Sequence, residues 1–138
     1  MKFKLLNDQV KLPELKHEGD AGYDLYLYEP VMIQPNTITV INTGIAVEIP
    51  KGEVGIIVPR SSIATSCQFQ LQMPLIDSNY RGEIHIIVNN PTNYYYEFNK
   101  NDRICSLCVF KIDDSKPEEI KELSQTERGA NWNGSTGK

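Results

Sequence analysis

One arginine followed by two serines stands at the end of an apolar run, where these residues could bind phosphate. Arg60, Ser61 and Ser62 follow the β-type run Val54–Val58, and residues 62–66 could form one helical turn. A guanidinium binds phosphate bidentately, and hydroxyl and N–H groups near a helix start add further donors. The same residues would also suit a helix cap beside a solvated arginine. Taken alone, this segment leaves both interpretations open.

A lone carboxylate, Asp77, follows Leu75 and Ile76 and precedes a hairpin-like turn through Tyr80 and Gly82. Such a carboxylate could take a proton from water as a general base. An aspartate at this place more often stabilises a turn through its own side chain. The hairpin is therefore a candidate for chemistry that needs support from the rest of the chain.

Two further acidic residues accompany predicted strands. Asp24 follows the tight turn Ala21-Gly22, and Asp102 stands beside Arg103 before an apolar segment. A neighbouring Asp–Arg pair is usually structural. Neither segment is specific by itself.

The last residues, 124–138, are rich in glycine and hydroxyl side chains. On composition, this stretch is either a frayed terminus or a tail that becomes ordered over a ligand. The run Gly134-Ser135-Thr136-Gly137 could offer backbone N–H and hydroxyl groups to phosphate, with Arg128 as a fork-shaped cation.

Short β-type segments separated by turn residues must position these groups. Their regular spacing predicts an antiparallel sandwich or barrel. The β-branched segment 38–49 is predicted to break at Asn42-Thr43-Gly44, and residues 118–123 fit either a helical turn or a strand. The 138 residues amount to one domain, 1–138, with a β core over 1–124 and a glycine-rich tail over 125–138.

Charge and apolar content exclude several classes of protein. Fourteen basic against eighteen acidic residues give a net charge of −4, which argues against nucleic acid as a direct partner. No apolar run reaches the roughly 20 residues of a membrane span. The N-terminus becomes charged too early for a signal peptide, so we expect a cytoplasmic protein, or a nuclear or host-cytoplasmic one if it is viral. Cys105 and Cys108 would point to opposite faces of a strand, which favours structural thiols over a metal or redox site.

Together and in order, these segments resemble the five motifs of the trimeric dUTP pyrophosphatase (dUTPase) family. The matching runs are Ala21-Gly22-Tyr23-Asp24-Leu25, Pro59-Arg60-Ser61-Ser62, Ile76-Asp77-Ser78-Asn79-Tyr80-Arg81-Gly82-Glu83, Asp102-Arg103-Ile104, and Arg128-Gly129 with Gly134-Ser135-Thr136-Gly137. The resemblance implies an all-β, distorted jelly-roll or barrel-like subunit with a flexible C-terminal tail. It also implies a homotrimer whose shared active sites take motifs one, two and four from one subunit, three from a second and five from a third.

The resemblance further implies hydrolysis of dUTP to dUMP and pyrophosphate, which keeps uracil out of DNA and supplies dUMP for thymidylate synthesis. Asp77 would be the general base for the attacking water, and Tyr80 would lie beneath the sugar. Asp24 would act through waters on a Mg²⁺ ion that the triphosphate chelates. The implied substrate-binding residues are Arg60, Ser61, Ser62, Leu75, Ile76, Tyr80, His85, Arg128, Trp132, Asn133, Gly134, Ser135 and Thr136. Of these, Leu75, Ile76 and His85 would read uracil through backbone groups.

The chain departs from the family pattern at a few positions. Ser106 stands where the fourth motif usually has glutamine, and Pro74 lies where the third-motif hairpin usually holds glycine. The aromatic residue that covers uracil usually precedes Gly-Ser-Thr-Gly directly; here Asn133 stands there and Trp132 one position earlier.

Two other functions remain to be weighed against hydrolysis of dUTP. One is a dUTPase-like trimer that mainly binds nucleotide or regulates a partner. The other is a dCTP deaminase relative, for which the catalytic glutamate on the strand after the third motif is missing, because Ile86, Ile87 and Val88 stand there.

Overall fold

The structure, a computed structural model, describes residues 1–131. Its strands are β1 (Lys2–Leu5), β2 (Gly22–Leu25), β3 (Val31–Ile33), β4 (Thr37–Glu48), β5 (Glu53–Pro59), β6 (Gln70–Gln72), β7 (Leu75–Asp77), β8 (Glu83–Asn90), β9 (Tyr96–Phe98) and β10 (Cys105–Lys111). One short helix, α1 (Ser61–Ser66), follows β5 and realises the predicted helical turn. The predicted all-β class is confirmed. Within the described range, no helix is long and apolar enough to cross a membrane.

The strands pair antiparallel in three sheets. The first sheet has the order β1-β4-β8-β6, the second β2-β10-β5-β7, and the third pairs β3 with β9. Neighbours in each sheet are distant in sequence, as in the double-sheet layers of a jelly roll. Over residues 1–131 the sheets form jelly-roll-like layers and do not close into a barrel.

The hydrophobic core lies between the two four-stranded sheets. Strand β8 shows how the sequence builds it, because Ile84, Ile86 and Val88 are buried while the alternate residues are partly exposed. Successive side chains of a strand point to opposite faces, so this alternation turns one apolar face inward. Ile57 of β5 and Leu107 of β10 are fully buried in the same cluster from the second sheet.

The predicted break in segment 38–49 is wrong, because β4 runs through it as one strand. The pairing with β8 shifts register between Asn42 and Ala46, so the Asn-Thr-Gly residues form a bulge. The buried Thr43 hydroxyl donates to the Ile84 carbonyl at 2.7 Å. Gly44 has φ +67°, and a Cβ there would collide with Val10. A left-handed backbone and a close neighbour together explain the glycine.

Residues 112–131 are exposed and contain neither helix nor strand. The regular β structure thus ends at Lys111, before the predicted core limit at residue 124. Residues 118–123 adopt neither of the two conformations considered for them.

The two cysteines of β10 differ in burial. Cys105 is buried, and burial raises the pKa of its thiol far above the ordinary value, with the charge of Asp24 adding to the shift. Cys108 is half-buried, and burial also raises the pKa of its thiol. Both side chains therefore favour the neutral thiol.

Candidate active site

A polar cleft of about 470 Å³ opens where β2, β5 and β10 meet the start of α1. We call it the Asp24 cleft. Strand β10 lies between β2 and β5, so residues from three distant segments share its walls. Its lining residues include Gly22, Asp24, Arg60, Ser61, Ser62 and Ser106.

Asp24 is the centre of the charge network in this cleft. Its side chain is almost fully buried, and Oδ2 accepts a hydrogen bond from Arg103 at 2.8 Å. Oδ1 accepts a hydrogen bond from the Ser106 hydroxyl at 2.9 Å and pairs with Nε of Arg60 at 3.3 Å. A buried carboxylate is stable only when its oxygens are paired and hydrogen-bonded, and this one satisfies that condition.

Arg103 is held from its other side by an aromatic ring. Its guanidinium lies 5.7 Å from the centre of the Tyr26 ring, a cation–π distance. The Tyr26 hydroxyl donates to Glu14, and this hydrogen bond, with burial, raises the pKa of Tyr26. Glu14 also fixes the backbone of β2, because its carbonyl accepts from the Asp24 N–H at 2.9 Å. The interpretation of Asp102 and Arg103 as a structural pair is therefore wrong in its partner: Arg103 pairs with Asp24, and Asp102 accepts from the Asn99 N–H at 2.7 Å.

Arg60 joins the end of β5 to α1. It occupies the N-cap position with extended backbone angles, φ −69° and ψ 150°, and its side chain makes no cap hydrogen bond. The guanidinium instead reaches Asp24 through Nε, with about a third of the side chain exposed. Ser61 and Ser62 lie in the first turn of the helix beside it. The structure therefore favours an arginine directed into the cleft over a solvated one.

Gly22 forms the floor of the Asp24 cleft. It pairs with Cys108 across the β2–β10 ladder. A Cβ at this position would lie 2.9 Å from Cβ of Ser106 and 3.0 Å from Sγ of Cys108. The missing side chain lets the two strands approach, and it leaves backbone at the base of the cleft.

A second, more apolar cleft of about 200 Å³ lies beside β7 and the start of β8. We call it the Asp77 cleft. It is lined by the third-motif hairpin, namely Pro74, Leu75, Ile76, Asp77, Tyr80, Glu83, Ile84, His85 and Ile87. Asp77 is exposed at the end of β7, and Ile76 beside it is buried. The exposed carboxylate is thus open to water at the edge of an apolar surface.

The ring of Tyr80 is fixed by its own turn. The Tyr80 hydroxyl donates to the Glu83 carbonyl at 2.9 Å, and the backbone N–H of Tyr80 donates to the Asp77 carbonyl at 3.0 Å. The ring covers Gly82, where a Cβ would lie 2.5 Å from Cζ of Tyr80. Glycine at position 82 therefore leaves the space that the ring occupies.

The bulge of β4 positions the start of β8 and hence this cleft. The Glu83 carboxylate accepts from the Gly44 N–H at 2.7 Å, which ties the third-motif hairpin to the bulge. His85 is half-buried, and its Nδ1 lies 3.1 Å from the side-chain oxygen of Asn42 on β4. The His85 ring is thus engaged in a contact with Asn42 of the neighbouring strand β4.

One chain does not bring the two clefts together. Asp77 pairs with Val54 at one end of β5, and Arg60 follows the other end, six residues later. At about 3.3 Å per residue, the two side chains are attached roughly 20 Å apart. Arg60 and Asp77, with the predicted site residues beside each, therefore lie in two separate groups, one at each end of β5, which we call half-sites.

Comparisons with known proteins agree over nearly the whole chain. The sequence model of the dUTPase family matches residues 8–137. The chain belongs to the dUTPase family. A deoxyuridine 5'-triphosphate nucleotidohydrolase of Clostridioides difficile is 41% identical, with 99% of this chain and 97% of the relative covered. One from Nautilia profundicola is 39% identical, with 100% and 99% covered.

Solved structures of this family have the same fold. The dUTPase of Staphylococcus bacteriophage 80alpha with dUpNHpp superposes with a TM-score of 0.91 at 29% identity, covering 99% of this chain and 97% of that one. A mutant dUTPase from phage phi11 of S. aureus, described with a structural Mg(II) ion, has a TM-score of 0.82 at 25% identity. That match covers 88% of this chain and 97% of that one.

The tail residues predicted to bind substrate fall mostly outside the described range. Trp132, Asn133, Gly134, Ser135 and Thr136 lie beyond residue 131. Arg128 is described, and its Nε donates to the Asn131 carbonyl at 3.1 Å within an exposed turn. These six residues remain predictions as substrate contacts.

The chemistry of the Asp24 cleft bears on the metal that the dUTPase family resemblance implies. Over residues 1–131, no group of three or more His, Cys, Asp or Glu side chains could hold a metal ion by itself. Asp24 is a single carboxylate whose oxygens already accept from Arg103 and Ser106 and pair with Arg60. This donor set fits a water-mediated contact to Mg²⁺ carried by a ligand, and it does not suit direct coordination.

Sequence reasoning missed two supports of this candidate site. The Ser106–Asp24 hydrogen bond joins residues 82 positions apart, and the contact of Arg103 with Tyr26 joins the residue segments that flank β10 and β2. No local sequence pattern reports either contact, because both follow from the register of β2 against β10. The departure from glutamine at position 106 is the one sequence signal that points to the Ser106–Asp24 contact.

Proposed function

We propose that this protein hydrolyses dUTP to dUMP and pyrophosphate by attack of water on the α-phosphorus. Membership of the dUTPase family supports the reaction. The observation that carries the site assignment is that the chain has one polar cleft, with an arginine and two serines that suit phosphates, and one apolar cleft with an exposed carboxylate and a tyrosine ring. Turnover of dUTP by the purified protein, measured by release of pyrophosphate, tests the proposal. Absence of turnover with Mg²⁺ present would overturn it.

Asp77 is the general base in this proposal. Its exposed carboxylate takes a proton from the attacking water as the new bond from oxygen to the α-phosphorus forms. The bond from that phosphorus to the bridging oxygen breaks, and pyrophosphate leaves with the electron pair. No covalent intermediate with the protein is needed.

The Asp77 cleft receives the nucleoside. The Tyr80 ring, fixed over Gly82, lies beneath the deoxyribose, where a 2′-hydroxyl would meet a ring that offers it no partner. Backbone groups of Leu75, Ile76 and His85 read the edge of uracil. The occupation of the His85 ring by Asn42 supports a main-chain role for this residue.

The Asp24 cleft receives the phosphates. Arg60 pairs with Asp24 through Nε, so its two terminal nitrogens are oriented for a bidentate contact with phosphate. Ser61 and Ser62 add hydroxyl and N–H donors. A bound Mg²⁺ ion would neutralise charge on the triphosphate, and Asp24 would hold that ion through water.

The complete site forms between subunits of a homotrimer in this proposal. The separation of roughly 20 Å between the attachment points of Arg60 and Asp77 along β5 supports it, because one chain cannot present both residues to one nucleotide. A head-to-tail contact that closes into a ring would join the Asp24 cleft of one subunit to the Asp77 cleft of the next.

Mixing two impaired variants tests this assembly. At dUTP concentrations below KM, we expect Asp77→Asn chains to be nearly inactive and Arg60→Ala chains to have a strongly reduced but measurable turnover, because each lacks one half-site. After co-refolding in equal amounts, about a quarter of the sites would combine two intact halves and regain activity, given random mixing within a ring. The matched control mixes Asp77→Asn with Asp77→Ala, which damage the same half. Equal activity of both mixtures would contradict a shared site.

The C-terminal tail closes over the bound nucleotide in this proposal. Arg128, Ser135 and Thr136 contact the γ-phosphate, Gly134 offers its N–H, and Trp132 or Asn133 covers uracil. The exposure of residues 125–131 in the described chain supports a segment available to a ligand. Deleting residues 127–138 should slow turnover of dUTP strongly while binding of dUMP persists. Full activity of the truncated protein would remove the tail from catalysis.

A further inference from the structure

Ser106 occupies the middle of the Asp24 cleft, although the motif resemblance leads one to expect a glutamine there. It lies on β10, directly opposite Asp24 of β2 on one side and Val58 of β5 on the other. Its position on β10, between β2 and β5, places its hydroxyl next to the buried carboxylate. The side chain is too short to act far from this point.

The hydroxyl of Ser106 has a defined partner. It donates to Oδ1 of Asp24 at 2.9 Å, and the same oxygen pairs with Nε of Arg60 at 3.3 Å. Arg103 takes the other carboxylate oxygen at 2.8 Å. The carboxylate is thus held at both oxygens, and the Ser106 bond determines how Oδ1 faces Arg60.

Packing limits what else Ser106 can reach. Its Cβ lies 2.9 Å from the position that a Cβ at residue 22 would occupy, so the Gly22 backbone packs directly against it. Serine has one rotatable bond to its hydroxyl, and that hydroxyl is already engaged by Asp24. Beyond Cβ, a glutamine in its place would extend one methylene and an amide group into the cleft.

We propose that Ser106 is a positioning residue that acts on the phosphates through Asp24 and Arg60. Its hydrogen bond fixes the Asp24 carboxylate, which holds Nε of Arg60 and so aims the terminal guanidinium nitrogens at the phosphates. This inference rests on the proposed phosphate role of the Asp24 cleft. It assigns the fourth motif of this chain an indirect contribution in place of a direct phosphate contact.

A double-mutant cycle distinguishes the indirect role from direct contact. Ser106→Ala should lower kcat/KM for dUTP about tenfold, mostly through KM, because it removes one hydrogen bond to a charged group. In an Arg60→Ala background the same change should cost less than about twofold, since the residue that Ser106 positions is gone. An Asp24→Asn background provides the second cycle. Additive effects in the Arg60→Ala cycle would overturn the proposal, because they would mean that Ser106 meets the substrate itself.

Binding of inorganic tripolyphosphate with Mg²⁺ gives a readout independent of turnover. Calorimetry, at a temperature where both proteins are folded, should show about tenfold weaker binding to Ser106→Ala, while the binding of deoxyuridine stays close to wild type. Ser115→Ala, the same substitution on the exposed segment after β10, is the matched control. Unchanged tripolyphosphate affinity in Ser106→Ala would refute the role of Ser106. Wild-type protein that binds tripolyphosphate but does not turn over dUTP would refute the proposed function and leave the Ser106 result interpretable.

Discussion

The Asp24 cleft and the Asp77 cleft differ in the parts of the chain that form them and in the chemistry of the groups that they present. In the Asp24 cleft, side chains from β2, β10 and the residue after β5 hold one another, and Asp24 is 7% exposed. In the Asp77 cleft, one hairpin supplies the walls, its backbone carbonyl fixes Tyr80, and this tyrosine is 43% exposed. Binding multiply charged phosphate requires cations whose directions are set in advance, whereas a planar base can be read by backbone. The difference shows why one cleft depends on long-range register and the other on local turns.

The largest expected effect comes from the carboxylate of the Asp77 cleft. Asp77→Asn should lower kcat about 100- to 10,000-fold, because an amide cannot take the proton from water. Binding of a non-hydrolysable dUTP analogue and the oligomeric state should remain close to wild type. Steady-state kinetics, calorimetry and size-exclusion chromatography check this. Activity within about threefold of wild type would assign the base to another group.

The next effect tests whether the two clefts separate phosphate from nucleoside. Arg60→Ala should weaken a triphosphate analogue about 10- to 100-fold, since hydrogen bonds to charged groups contribute about 1.5–3 kcal/mol. Inhibition by deoxyuridine should change less than about twofold, because that ligand has no phosphate. Comparable losses for both ligands would show that the clefts do not divide the substrate in this way.

A smaller effect is expected on the choice of sugar. Tyr80→Ala should reduce the preference for dUTP over UTP, expressed as the ratio of kcat/KM values, by about tenfold or more. Gly82→Ala keeps the ring and displaces it, because the new Cβ would take the space under the ring, so it should reduce the same preference to a lesser degree. Tyr80→Phe, which keeps the ring but loses the hydrogen bond to Glu83, is the matched control. A wild-type protein that treats both nucleotides equally would contradict the role of Tyr80.

The smallest effect concerns stability beneath the Asp24 cleft. Because burial raises the pKa of Cys105, the folded protein keeps the neutral thiol at a pH where the unfolded chain ionises. The stabilisation is complete below the ordinary thiol pKa and declines as pH rises above about 9, by about 1.4 kcal/mol per pH unit. Urea unfolding between pH 8 and 10 should show a steeper decline for wild type than for Cys105→Ala. Parallel slopes would mean that Cys105 does not carry this dependence.

The parts of the fold that were predicted are those with a local signal. The alternation of β8 and the helical turn after Arg60 are readable from neighbouring residues, whereas three-residue strands such as β6 and β7 are too short for a period to emerge. The Asn-Thr-Gly run was read as a break because these residues favour turns. Thr43 and Glu83 convert it into a bulge through bonds to distant segments.

The residues of the candidate site also divide into those with a local sequence signal and those without one. Arg60, Asp77 and Tyr80 could be predicted because each stands in a recognisable motif next to turn residues. The hydrogen bond of Ser106 to Asp24 could not, since it depends on which residues of β10 lie opposite β2. The geometry of a charge network is a property of strand register, which the sequence of one strand does not determine.

The placement of a half-site at each end of β5 has a consequence for how activity depends on the concentration of the protein. On the proposed assembly, a lone chain is folded and catalytically silent, so activity per chain falls when the protein is diluted below its subunit dissociation constant. Output then rises more steeply than in proportion to the amount of protein. Chains with a damaged half-site at either end of β5 would also inactivate sites that they share with intact subunits. One defective chain would therefore reduce the activity of its neighbours.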